Sequence, residues 1–412
     1  MAGYIEDRWL KKRPDKVTKK RERTARWGKG KRWRVAGIPG VRDCSFDTLD
    51  DAKTWKDTAA TDSRRFEFID PRLGEILLGE YIETVWWPGR SDAVGTAGPM
   101  RSKIKNHILP HLGHLQLNQI DEEALRLWLA TLRRKPNLSE GTIEIIWIHL
   151  TSILKTAVGK RISKNPCSAM ADERPQGSGE TKARAWTPRE WDAIRENLAD
   201  WYRIAADLGG RAGLRQGEAF GFSPDDLDED AEEISLVRQL RWDAKIGAYF
   251  KLPKGDKERR IPASRGLMDA LRAHAAEFPS VKTELPWLGP GNGNRKTLTV
   301  NLLITTWFFN PVNPTTFNRE CFKPALSAAG IIAPKDAGLP GWGYEPSRDK
   351  MFHRFRHTYA SVQLRAGEDI VALSQWMGHA SPDITWKTYA HFIPDDKKRG
   401  RTAVDAWLDA QR

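Results

Sequence analysis

A stretch with the composition of a flexible linker, Asp172 to Ala185, limits what this chain can fold into. It carries Pro175, Gly177, Ser178 and Gly179, so the residues on either side of it must build separate cores. With 412 residues, 40% of them hydrophobic, there is material for two or three domains. On the N-terminal side, residues 76–165 hold four helical patterns: Ile76 to Trp87, Met100 to Leu112, a third opened by Asp121 and a fourth capped by Ser139. The third presents Ala124, Leu125, Leu127, Trp128, Leu129 and Leu132; the fourth presents Ile143, Ile145, Ile146, Ile148, Leu150 and Ile153. These stripes are the expected core.

Ahead of the helices, residues 1–35 carry fourteen Lys or Arg against four acids. The first twenty or so read as a solvated, disordered tail. Arg32 to Val35 and Val41 to Phe46 then read as two strands around a glycine turn, and Thr48 caps a helix through Trp55. Beyond the linker, helices alternate with short strands. Thr187-Pro188 opens one helix and residues 201–212 form another. Glu233 to Trp242, Tyr249 to Leu252 and Arg259 to Pro262 are strands; residues 279–314 read as irregular. A short amphipathic helix with Val404, Trp407 and Leu408 is expected at the end. The fold class expected is therefore multidomain, mainly α with small β-sheets.

The net charge of +13 suggests a polyanionic partner, with nucleic acid as the default. Arg32, Trp33 and Arg34 in the basic module, and Arg101, Lys103, Lys105 and Lys155 among the helices, are the candidate DNA contacts. Three scattered cysteines, Cys44, Cys167 and Cys321, fit a reducing compartment and give no zinc motif. No apolar run reaches 18 residues and no signal-peptide core is present, so no membrane partner is expected and the location is cytoplasmic.

Chemistry concentrates between His353 and His391. Here stand His353-Arg354-Phe355-Arg356-His357, then Gly378-His379, then Tyr389. Arginine can fork onto two phosphate oxygens, and His353 and Arg356, three apart, share a helix face. A tyrosine hydroxyl, neutral at pH 7, attacks only if a base such as imidazole takes its proton. The residues suit a pocket for one phosphate, with Tyr389 as the attacking group. His353 and His357 are spaced like zinc ligands, but Arg354 stands where a zinc hydrolase would have Glu, and no metal or other cofactor is expected. Upstream, Gly213 turns the chain so that Arg215 sits at a helix junction, with Glu218 placed to orient it. Lys254 lies on the hairpin Pro253-Lys254-Gly255-Asp256-Lys257.

Taken together, Gly-Leu-Arg215-Gln-Gly-Glu218, Pro-Lys254-Gly-Asp, His353-Arg-Phe-Arg356-His, Gly378-His379 and Thr-Tyr389-Ala-His resemble, in order and spacing, the tyrosine recombinases of the phage-integrase type. Phe355 stands where that family commonly has Leu. The resemblance implies a basic N-terminal arm-type DNA-binding module of strands and a helix (1–65), a four-helix core-binding domain (73–168), a linker (169–185) and a mixed α+β catalytic domain with a C-terminal helix (186–412). It implies that Tyr389 forms a 3′-phosphotyrosyl link, that Arg215 and Arg356 clamp the non-bridging oxygens, and that Lys254 protonates the leaving 5′-oxygen. His353 would assist proton transfer at Tyr389, and His379 would donate to the phosphate. The implied partners are double-stranded DNA at attachment sites, a homotetramer on that DNA, and directionality or DNA-bending accessory proteins, in the nucleoid of a bacterial host. The other readings are a topoisomerase-like enzyme that nicks and closes one duplex, and a non-catalytic DNA-binding protein that has kept the fold.

Overall fold

In a computed structural model, residues 3–16, 18–65, 68–92, 95–177, 182–289, 297–334, 343–345, 347–394 and 407–410 are described. By internal contacts the chain divides into Met1–Gly179 and Glu180–Arg412.

The first unit begins with a three-stranded antiparallel sheet in the order Tyr4–Asp7, Trp33–Ala36, Cys44–Phe46. The expectation of a solvated tail is corrected here. Tyr4 pairs with Ala36 and Asp7 with Trp33, and Leu10 bridges to Arg23. Asp7, nearly buried, accepts two hydrogen bonds from Arg32, at 3.0 and 3.2 Å. Local charge density argued for a tail, whereas a carboxylate that takes up the neighbouring cations lets a strand form. Thr48 accepts a hydrogen bond from Asp51 N at 3.1 Å, and the helix Leu49–Arg65 lays Ala52, Ala59 and Ala60 over Val35 and Ile38.

The helical part follows the expected order with irregular turns. Leu78–Tyr81 runs on through a wider, π-type turn at Ile82–Trp86. Ala97–Lys103 does the same through Ile104–Ile108, where the ladder widens just before Pro110, which has no N–H to donate. Glu122–Arg133 is capped by Asp121 and Glu140–Ala157 by Ser139. Leu125, Trp128, Leu129 and Leu132 meet Ile143, Ile146, Trp147, Leu150 and Ile153, and the Trp128 and Trp147 rings stack at 6.2 Å. Leu127, Ile145 and Ile148 were expected in this core but stay exposed, because a helix can bury only one stripe.

The second unit opens with a reciprocal cap, Thr187 with Glu190, on the helix Pro188–Asn197. The single strand expected over Glu233 to Trp242 is two strands in different sheets. Glu233–Leu236 lies between Leu227–Asp228 and Arg259–Pro262, while Gln239–Asp243 pairs with Gly247–Lys251. The break falls at Arg238, whose buried guanidinium donates to Asp226 at 2.6 Å and to Gly221 O at 3.0 Å. Residues 279–314 are not irregular throughout: Val281–Pro286 and Thr297–Leu302 form an antiparallel hairpin. Of the expected C-terminal helix, Val404 lies outside the described residues, and Trp407 and Leu408 are exposed. No described helix is long and apolar enough to cross a membrane.

At the centre of this unit the helix His353–Ala366 packs on Asp200–Arg211. Phe355 is fully buried, with its ring 5.2 to 6.1 Å from those of Trp191, Phe352, Phe322 and Trp186. Its Cβ faces Gly209, where an added methyl would sit 3.0 Å away. Phe355→Ala should therefore cost about 3–5 kcal/mol. A urea titration should show a lower midpoint; an unchanged midpoint would mean that this aromatic cluster does not hold the helix in place.

Candidate active site

Two helix ends and a glycine turn bring the cations together. Gly213, at φ +67°, ends the helix Asp200–Arg211 and swings the chain so that Arg215 caps the next helix, Gln216–Phe220. A Cβ at Gly213 would come within 2.5 Å of the Tyr359 ring, so only glycine fits there. The helix Ile370–Met377 ends in Gly378 at φ +60°. The carbonyls freed at this helix end are the anchors of the site. Arg215 donates to Gly378 O at 3.2 Å. Arg356, 1% exposed, donates to Gly213 O at 2.6 Å and to Met377 O.

A buried carboxylate joins the parts. Glu218 accepts from Arg215 Nη1 at 2.9 Å and from Arg259 at 2.6 and 3.1 Å, and it also takes the backbone N–H of Arg215. Burial alone would raise its pKa, but Arg259 and then Arg215 outweigh that and lower it to about 2. Burial, followed by Arg215, lowers the pKa of Arg356 to about 9, which leaves it charged at pH 7.

His379 receives a hydrogen bond from Arg356 at its Nε2, 3.2 Å away. A guanidinium has only donors, so Nε2 must accept, and the ring proton lies on Nδ1, facing the Thr385 hydroxyl at 2.7 Å. Tyr389 ends the helix Pro382–Tyr389, and its ring lies parallel to that of His379 at 6.3 Å. It is 2% exposed, and burial pushes its hydroxyl up to about 12 against the pull of Arg356 and Arg215. The hydroxyl lies 2.7 Å from His357 Nδ1. His353, the residue expected there, instead stands exposed one helical turn away, edge-on to the His357 ring at 4.8 Å. Lys254 is exposed on its turn, outside the hydrogen-bonded cluster, though its charge helps to lower the pKa of His379.

Residues 186–394, just over half of the chain, match the sequence model of the phage integrase family. The chain belongs to the phage integrase family. It is 25% identical over 347 residues to a XerC-like tyrosine recombinase of Caldanaerobacter subterraneus, covering 80% of this chain and 82% of that one. It is 23% identical over 382 residues to the integrase of Mycobacterium phage D29, covering 89% and 91%. Among solved structures, the Tn1549 transposon integrase bound to transposon right-end DNA superposes with a TM-score of 0.60 at 19% identity, covering 81% of this chain and all of that one. A lambda integrase tetramer on a Holliday junction gives 0.53 at 16%, covering 89% and 93%. These two likenesses show the fold: mixed helical with small sheets.

The integrase-family site holds two residues that were not among the expected site residues. Arg259 sits on the strand Arg259–Pro262 and faces inward with Ile261, so strand alternation could have revealed it. His357 lies four residues after His353, on the same helix face. The candidate DNA contacts lie in the other unit. Arg32 is held by Asp7, with Trp33 stacked under its guanidinium at 4.6 Å. Arg34 pairs with Asp43 at 2.5 Å and Glu6 at 3.5 Å. Arg101 lies over the Trp87 ring at 4.1 Å; Lys103 is half-buried, and Lys105 and Lys155 are exposed.

The pKa values of two imidazoles are depressed together. Burial and then Arg356 lower His357 to about 4 and His379 to about 3. The unfolded chain takes up these protons first, near the ordinary 6.5, so stability falls as pH drops from there towards 4. Glu218 contributes with the same sign lower down: its contribution is complete above 4.5 and lost towards 2. The urea midpoint should be lower at pH 5 than at pH 7, and His379→Asn should narrow the gap. Equal midpoints for the parent chain at the two pH values would show that the imidazoles titrate normally.

Proposed function

We propose that Tyr389 is the nucleophile of DNA strand exchange, and that Arg215, Arg356, Lys254 and His379 form the site of the scissile phosphate. Breaking and rejoining DNA in site-specific recombination is the activity that goes with the family. What supports these residue roles is that Arg215 and Arg356, held by the carbonyls of Gly213, Met377 and Gly378 and by the charge of Glu218, meet His379, whose ring lies parallel to that of Tyr389, so that three separated stretches of chain come together.

In the reaction, the Tyr389 oxygen attacks phosphorus and the bond from phosphorus to the 5′-oxygen breaks. The product is a 3′-phosphotyrosyl link and a free 5′-hydroxyl. Lys254 comes down on its turn, which joins two strands of different sheets rather than the expected hairpin, to give the 5′-oxygen a proton. Arg215 and Arg356 hold the non-bridging oxygens, where charge grows in the transition state. His379 joins them as a donor once its Nε2 is released from Arg356 and carries a proton. The proton leaving Tyr389 goes to an imidazole of the helix that begins at His353. The link conserves the energy of the phosphodiester, so a second 5′-hydroxyl can reverse the step without ATP.

Around this chemistry, residues 1–65 would bind arm DNA, 73–168 would grip the core site, and 169–185 would join them to the catalytic domain at 186–412. Four copies would exchange strands between two attachment sites through a Holliday junction, as the lambda integrase tetramer binds one. Accessory bending or directionality proteins would act on that assembly. The DNA site itself can be read from the repeats flanking the element that encodes the chain.

A nicked suicide duplex carrying that site tests the reading. The parent chain should leave a covalent protein–DNA band on a denaturing gel, and Tyr389→Phe should leave none. A band of equal strength from the Phe variant would show that another residue is the nucleophile.

A further inference from the structure

We propose that His357, rather than His353, is the catalytic base that takes the proton of Tyr389. This rests on Tyr389 being the nucleophile. The argument begins with the hydroxyl itself. Tyr389 is buried, and its oxygen lies 2.7 Å from His357 Nδ1, the length of a full hydrogen bond. A phenol that only accepted there would leave its own proton unpaired in the interior, at a cost of about 1–3 kcal/mol. The O–H therefore donates, His357 Nδ1 accepts, and the ring proton of His357 sits on Nε2. The proton that must leave for attack already points at its acceptor.

The helix face explains how one turn serves two tasks. Positions 353, 356 and 357 share a face, so Arg356 is presented to the phosphate site and His357 to the nucleophile, one residue apart. His353 precedes them at the helix start, where its ring meets His357 rather than Tyr389.

Electrostatics suit a base that works only when substrate is bound. His357 faces Tyr389 from the helix Pro382–Tyr389, and His353, Arg354 and Arg356 on its own helix, with Arg215 and His379 beyond Tyr389. Burial, then Arg356 and Arg354, keep the ring neutral and free to accept at pH 7. A bound phosphate offsets the charges of Arg356 and Arg215 and so raises the proton affinity of His357 when the transfer occurs. The step balances. The bond from the Tyr389 oxygen to phosphorus forms, the bond to the 5′-oxygen breaks, the phenolic proton moves to Nδ1, and Lys254 supplies a proton to the 5′-oxygen. Rejoining runs each transfer backwards.

The test is single-turnover cleavage of the suicide duplex with sulfur in place of the scissile 5′-oxygen, between pH 6 and 9.5. A thiolate leaves without needing a proton, so only the nucleophile's side is read. His357→Asn keeps a hydrogen-bonding group near Nδ1 but cannot take the proton. It should be slower than the parent at pH 7 by about 10²–10⁴-fold, the usual worth of a general base. Its rate should climb about tenfold per pH unit as hydroxide replaces the base, while the parent stays flat. His357→Ala should be at least as slow. His353→Gln should lower the rate without changing the pH slope. Three results would overturn the proposal: His357→Asn within about threefold of the parent, His357→Ala faster than the parent, as a mere latch would give, or the altered slope found in His353→Gln instead. Binding of uncleaved duplex and the urea midpoint are measured for each variant. If His357→Ala fails those controls, His357→Asn decides. Tyr389→Phe runs alongside: an adduct from it would refute the nucleophile assignment, whatever the histidine variants do.

Discussion

Glu218 is the interaction on which the site depends. Three guanidinium groups, those of Arg215, Arg259 and Arg356, act on this one buried carboxylate. Two like charges 4 Å apart near a protein surface repel by about 4 kcal/mol, so a cluster of cations waiting for phosphate would fly apart without a counter-charge. Glu218 supplies it, taking hydrogen bonds from Arg215 and Arg259 and offsetting the charge of the buried Arg356. The cost of burying the carboxylate is offset by four hydrogen bonds counted over its two oxygens, three from side chains and one from the backbone of Arg215. Arg259 then has a purpose beyond neutralisation. Its Nε donates to Trp376 O at 2.7 Å, so one side chain ties the strand leading out of the Lys254 turn to the helix end that carries His379.

The same economy governs Tyr389, the proposed nucleophile. Tyr389 is neutral and held inside, while the groups that would activate it are kept in their uncharged or occupied forms. His357 is neutral because arginines crowd it, and the Nε2 of His379 is engaged with Arg356. An anion between the arginines would change both conditions at once. It would compete for Arg356 and release His379, and it would make protonation of both imidazoles easier. On the roles proposed for these residues, reactivity would be tied to the presence of phosphate through charge.

Much of this was legible in the sequence, for reasons that particular residues make plain. Arg215, Arg356 and Tyr389 stand at helix starts and ends, where glycines, prolines and caps mark the chain, and their types leave few other roles. Thr187, Asp121 and Ser139 announced their helices because capping is a local affair. The strand at Tyr4 was missed because its partner, Ala36, lies some thirty residues away and no local pattern encodes the pairing. The strand around Arg238 was read as continuous because nothing nearby tells that this arginine turns inward to Asp226. His357 was overlooked for a subtler reason. His353 and His357 are equivalent by residue type and helix face, and only the position of the Tyr389 oxygen distinguishes them.

The N-terminal module carries the converse lesson about charge. Its surplus of arginine and lysine argued for contact with a polyanion, and the family membership agrees with that. Yet Arg32 and Arg34, the residues singled out for it, are already engaged by Asp7, Asp43 and Glu6. A phosphate approaching them must compete with a carboxylate that costs nothing to reach, so their net worth to binding is smaller than their charge suggests. Lys105 and Lys155, exposed on the helical part, have no carboxylate in an ion pair with them among the described residues. For this chain, then, the count of basic residues sets an upper bound on phosphate contacts, and the ion pairs within the fold decide how far below that bound the real number falls.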